Sequence, residues 1–191
     1  MKIQVGVMGS AGGRIPKRVR EKARALGAEI AKHDCVLVTG ACPGLPYDAV
    51  RGCRSAAGMA VGISPALDLH EHRTRYRSPW REFDVLVYTG DGLMGREVTG
   101  IRSCDIVIVI GGRSGTLGEF AIAYDEAKLI GVVQGTGGVA DHVREITKIV
   151  NKKTGATLVF DTDPEKLMDR LLRAYKRRRG RPPARLKFQE G

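Results

Sequence analysis

From Asp105 to Ile110 the chain reads Asp-Ile-Val-Ile-Val-Ile, five β-branched apolar residues in a row with no polar residue alternating among them. Successive side chains of a strand point to opposite faces, so such a run needs cover on both. Shorter runs of the same kind lie at Ile3–Met8, Cys35–Thr39, Met59–Ile63, Phe83–Thr89, Leu129–Val133 and Ala156–Phe160. Helical patterns fill the intervals: Pro16–Lys32, Tyr47–Ala57, Leu93–Ser103, Leu117–Lys128, Val139–Val150 and Pro164–Tyr175. Pro16 suits the first position of a helix. Strands alternating with helices imply parallel pairing through right-handed crossovers. The expected fold class is therefore α/β: a Rossmann-like doubly wound open sheet, mostly or wholly parallel, with helices on both faces. The 191 residues suffice for one domain, expected over 1–176, with 177–191 a basic, disordered tail.

Charge narrows the partners. The formal net charge is +11, but nine basic residues and no acidic one lie between Arg170 and Lys187. The chain up to Asp169 holds 23 basic and 20 acidic residues, so the excess belongs to the tail. Aromatics are not interleaved with the tail's basic residues in the way that stacks bases, so nucleic acid is not an expected partner beyond weak tail contacts. No apolar run reaches the roughly 18–20 residues of a membrane span. Met1-Lys2-Ile3-Gln4-Val5 enters a strand at once, without a signal peptide, and a cytoplasmic setting is the expectation. Cys35, Cys42, Cys53 and Cys104 have no paired spacing and read as reduced packing residues. His70 and His72 have the only metal-like spacing, with no third ligand; a solvated loop is expected there and no metal site. Asn151 is the only asparagine and glutamines are few, a composition that leans toward a thermophilic source.

Doubly wound sheets bind ligands beyond the C-terminal ends of their strands, and the glycines gather there. Gly9-Ser10-Ala11-Gly12-Gly13 follows the first strand and Thr39-Gly40 the second; Gly90–Gly95 and Gly111–Gly115 follow two others. The second strand ends in Thr39-Gly40 where a ribose-binding acid is needed, which argues against the usual dinucleotide fingerprint. No Gly-Lys pair exists for a Walker-type loop. There remains Gly111-Gly112-Arg113-Ser114-Gly115-Thr116-Leu117-Gly118-Glu119. Its glycines let the backbone approach an anion, and Thr116 opens a helix whose free N–H groups and dipole favour a phosphate. Arg113 adds charge. Glu119 has two readings: a capping box with Thr116, or a carboxylate on the pocket floor.

Ile110–Glu119 resembles the PGGxGTxxE motif of the LONELY GUY family, relatives of the molybdenum-cofactor carrier proteins. Val38-Thr39-Gly40-Ala41-Cys42-Pro43-Gly44 resembles that family's second glycine turn, Gly58–Pro65 its following strand, and Arg96 the arginine of its Arg-Lys pair. The resemblance covers roughly residues 3–160. It implies that the site holds a nucleotide or a pterin-type phosphate cofactor through Gly9, Ser10, Gly12, Thr39, Gly40, Gly111, Gly112, Arg113, Ser114, Gly115 and Thr116. It also implies a homodimer. In the family's enzymes the matching pair, here Glu119 and Arg96, cleaves the N-glycosidic bond of a nucleoside 5′-monophosphate, with no cofactor required for catalysis. Three departures set this chain nearest the carrier-like branch: Glu97 replaces the family's lysine, Ile110 its proline, and the motif is one residue longer.

One arginine-rich stretch, His70–Arg81, shows no clear periodicity. Two readings stand for it. It folds over the pocket, bringing Arg73 or Arg75 to a phosphate and Tyr76 or Trp80 to a base, or it is a surface loop or subunit contact anchored by Trp80.

Overall fold

A computed structural model describes residues 1–179. Seven strands form the sheet: β1 (Gln4–Gly9), β2 (Val36–Thr39), β3 (Met59–Ser64), β4 (Val85–Tyr88), β5 (Ile106–Ile110), β6 (Leu129–Val133) and β7 (Thr157–Asp161). The helices are α1 (Lys17–Lys32), α2 (Leu45–Ser55), α3 (Leu69–Thr74), α4 (Gly92–Arg102), α5 (Ser114–Asp125), α6 (Gly138–Val150) and α7 (Pro164–Arg179). All six strand pairings are parallel, in the order β4-β3-β2-β1-β5-β6-β7. This is the Rossmann-like α/β sheet that the alternation implies.

The β5 run does what its composition demands. Ile106, Ile108 and Ile110 pack into one core layer with residues of α1, α2 and α7 such as Leu26, Ala49 and Leu167. Val107 and Val109 face the other layer, with Phe120 of α5 and Val143 of α6. Strand order turns back between β1 and β5, so a crevice opens beyond their C-terminal ends.

Three local expectations need correction. The helix expected from Leu117, with Thr116 opening it, begins at Ser114: Gly111 (φ +60) and Gly112 (φ +105) complete the turn in two residues. Arg113 is then the extended N-cap. The stretch 64–82 contains the short helix α3, capped by Asp68, whose side chain accepts from the Glu71 amide. His72 is not in a solvated loop. It is fully buried, its Nδ1 2.8 Å from Ser64 Oγ and its Nε2 3.0 Å from the Pro79 carbonyl, and it ties α3 and the following loop to the end of β3. At the other end of the chain α7 runs through to Arg179, past the expected boundary at 176, while the rest of the expected tail lies outside the described residues.

Candidate functional site

At the crevice, the ends of β1 and β2 and the starts of α4 and α5 surround a cavity of about 250 Å³. Of the residues expected there, Gly9, Ser10, Arg113, Ser114, Gly115, Thr116, Arg96 and Glu119 line it, joined by Ala11, Cys42 and Glu97. A larger cavity of about 500 Å³ lies at the opposite, N-terminal end of the strands. Its polar groups serve one another: Asp105 accepts from the Gln4 amide and the Tyr175 hydroxyl, and Lys128 donates to the Cys104 carbonyl.

The glycine amides of the motif are not what faces the crevice. The Gly111 N–H donates to Thr136 Oγ1 (2.9 Å) and the Gly112 N–H to Ser10 Oγ (2.8 Å). Their carbonyls accept from Ala140 and Val139 at the start of α6. These two residues are a joint between loops. Gly112 must be glycine because a Cβ there would lie 2.5 Å from Thr116 Cγ2, which folds back over it. The next amides, of Ser114, Gly115 and Thr116, have no partner among the described residues; the first backbone bond of α5 is Leu117 N–H to the Arg113 carbonyl. They are the uncapped start of a twelve-residue helix, and all three residues line the cavity.

Arg96 and Glu97 lie on the second turn of α4, both buried. The Arg96 guanidinium lies against the backbone at the end of β2: a Cβ on Gly40 would stand 1.5 Å from its Nη1. Gly40 therefore makes room for Arg96 rather than touching the cavity. Thr39 is buried too, its hydroxyl accepting from the Ala41 amide. Arg96 Nε has no hydrogen-bond partner, the one such buried side-chain atom among the described residues. Gly12 lines an adjoining cavity with Gly112 and Arg113.

Glu119 sits in the second turn of α5, so it is no capping box with Thr116, which is the helix's third residue. Glu119 is 8 % exposed, and its carboxyl makes no hydrogen bond or ion pair within the described residues. Burial pushes it up to about 8 against the pull of Arg96, and Glu97 adds to the rise. Glu97 is itself raised by burial, opposed by Arg96. Its carboxylate lies along the first turns of α5, where Cβ atoms on Gly115 and Gly118 would come within 3.6 and 3.2 Å of its oxygens. Burial holds the Cys42 thiol at about 11, so it stays protonated. All four cysteines are free.

The arginine-rich stretch stays away from this cavity. None of Arg73, Arg75, Tyr76 or Trp80 lines it; Arg73 and Arg81 flank the Trp80 ring at 5.2 and 5.3 Å. No group of three or more His, Cys, Asp or Glu suited to a metal ion occurs among the described residues. Nor is any described helix long and apolar enough to cross a membrane.

Residues 2–168 match the model of the SLOG cluster4 family. The chain belongs to that family. A protein of uncharacterised function from Archaeoglobus fulgidus is 30% identical over 129 residues, 67% of this chain and 78% of its own. Among solved structures, the molybdenum cofactor binding protein of Rippkaea orientalis aligns with TM-score 0.74 and 25% identity, covering 91% of this chain and 98% of that one. The molybdenum cofactor carrier protein of Chlamydomonas reinhardtii aligns with TM-score 0.74 and 22% identity, covering 92% and 99%. The fold is theirs, and the family agrees with the resemblance carried by the motif at Ile110–Glu119.

Proposed function

We propose that the protein binds a phosphate-bearing nucleotide or pterin-type cofactor, with a phosphate against the amides of Ser114, Gly115 and Thr116. The observation that carries this reading is their lack of partners at the mouth of a cavity lined also by Arg96, whose buried Nε is itself without a partner. Thr116 is buried while Ser114 and Gly115 are exposed, so the open helix start is reachable from outside, and an anion there satisfies several donors at once. A Glu119 carboxyl that is neutral at pH 7 does not repel that anion. The structural kinship with molybdenum-cofactor carriers fits a phosphate-bearing ligand of this size and chemistry.

Removing one amide tests the cradle. Proline is tolerated in the first turn of a helix, and the residue before it must be extended, which Arg113 already is (φ −126, ψ −152). Ser114→Pro should therefore fold normally while losing one charge-assisted hydrogen bond, weakening phosphate-ligand binding roughly ten- to a hundredfold by calorimetry. Unchanged affinity overturns the proposal.

The second reading, a nucleoside 5′-monophosphate phosphoribohydrolase, is favoured by the protonated Glu119 beside Arg96. In that chemistry the bond from C1′ to the base nitrogen breaks as water adds to C1′. Glu119 gives its proton to the departing base and regains one from the water. Glu97 weighs against it by replacing the family's lysine, while its carboxyl beside the α5 amides opposes a phosphate in either reading. Incubation with AMP and other monophosphates, with assay for free base, separates the two. Binding without turnover is expected; base release abolished by Glu119→Ala establishes the hydrolase instead. The homodimer implied by the family resemblance belongs to the same proposal, and light scattering that returns a single 20.7 kDa chain rejects it.

A further inference from the structure

Across Ser10 and Arg113 from the first cavity lies a second one, of about 460 Å³. Glycine turns at 12–13 and 137–138 line it, with the side chains of Arg14, Arg18 and Arg113 and no acidic residue. These three guanidinium groups have no hydrogen-bond or ion-pair partner among the described residues. Other arginines close on carboxylates, Arg20 and Arg24 on Asp48, Arg54 on Asp84, Arg75 on Glu71 and Arg102 on Glu126, or, like Arg73, Arg81 and Arg144, lie over an aromatic ring. Arg14, Arg18 and Arg113 do neither and share one hollow. Three like charges gathered around one glycine-lined hollow repel one another until an anion enters.

The hollow's own backbone supplies little to such an anion. Asp141 already accepts the amides of Gly135 and Gly137, and those of Val139 and Ala140 are spent on Gly112 and Gly111. Recognition falls to the arginines, which bind phosphate oxygens in pairs. Arg113 bridges the two cavities: it lines both, and its Nη atoms lie 3.6 and 3.8 Å from where Cβ atoms on Gly12 and Gly13 would stand. The β1–α1 turn beside the β1/β5 reversal is also where doubly wound sheets hold a pyrophosphate.

We propose that this arginine-lined cavity is a second phosphoryl subsite, so that the site takes a pyrophosphate-bearing nucleotide in preference to a monophosphate. The proposal rests on the first cavity holding the first phosphate. Thr39 stands where a ribose-reading acid would, so selectivity comes from the phosphates and not from the sugar.

Titration calorimetry on the full chain with AMP, ADP and diadenosine 5′,5′-pyrophosphate tests this. ADP or the dinucleotide should bind at least tenfold tighter than AMP. ADP ahead identifies a terminal pyrophosphate as the feature read, and the dinucleotide ahead a bridging one. Arg14 and Arg18 are exposed, so Arg14→Ala/Arg18→Ala should keep its melting temperature. This double variant should bring the pyrophosphate ligands down to the AMP affinity and leave AMP itself unchanged. Equal affinities for AMP and both pyrophosphates, with AMP binding intact, overturn the second subsite alone. A wild-type chain that binds none of the three overturns the first cavity's reading with it. A thymidine decanucleotide that binds tighter than both pyrophosphates, with the same arginine dependence, also overturns the proposal, since the hollow would then track a strand.

Discussion

Glu119 is held protonated at neutral pH by its own burial, and Glu97 beside it works in the same direction. The sign of the consequence follows from linkage. Its folded-state value, about 8, lies above the ordinary carboxylate value, so the folded protein keeps a proton that the unfolded chain releases above roughly pH 4.5. The associated stability is complete below that pH and is lost as pH rises toward 8. Melting temperatures of the ligand-free protein should therefore fall between pH 5 and 8, and Glu119→Gln should flatten that slope. A slope unchanged in the variant shows that Glu119 ionises normally. Phosphate affinity should fall over the same upper range, as a second negative charge appears in the cavity.

The elements around the site are joined by polar contacts as much as by apolar ones. The α5 turn is tied to β1 through Ser10 and to the β6–α6 connection through Thr136. On the far side α3 hangs on His72, whose two ring nitrogens reach Ser64 and Pro79. His72→Ala removes both bonds and leaves a buried hydroxyl with a lost partner, a cost of about 2–4 kcal/mol. Urea denaturation should report that loss while AMP binding at the distant cavity stays the same. Loss of AMP binding without loss of stability contradicts this division of labour.

Across the whole molecule, the site exists because β1 and β5 lie side by side while the chain connections leave them in opposite directions. Gly9, the last residue of β1, lets the two strands run to their ends in contact: a Cβ there would stand 2.4 Å from the Ile110 carbonyl oxygen. Gly9→Ala should pry the crevice open, lowering stability by about 1–3 kcal/mol and weakening phosphate ligands together with it. Stability lost with affinity intact shows that the cavity tolerates the movement. The order of elements was legible in the sequence because each depends on its own residues. The run Ile106–Ile110 demanded two covered faces, and the glycine clusters marked the rim. The start of α5 was misplaced by three residues because the positive φ of Gly111 and Gly112, which fixes it, is set by contacts with α6 and Thr136.

By itself the sequence determined the strand–helix alternation and the parallel sheet, since local pattern carries those, and the motif resemblance grouped Arg96, Glu119 and the 113–116 turn, which line one cavity. The tertiary structure alone decided which amides remain free and which are consumed. Ser10 is 102 residues from Gly112 and Thr136 is 25 from Gly111, so no local reading shows that the glycine donors are already bonded. It also decided that Cys42 and Glu97 line the cavity and that Gly40 only makes room for Arg96. A side chain's partner is chosen by packing between elements distant in the chain, whereas the elements themselves answer to their neighbours in sequence.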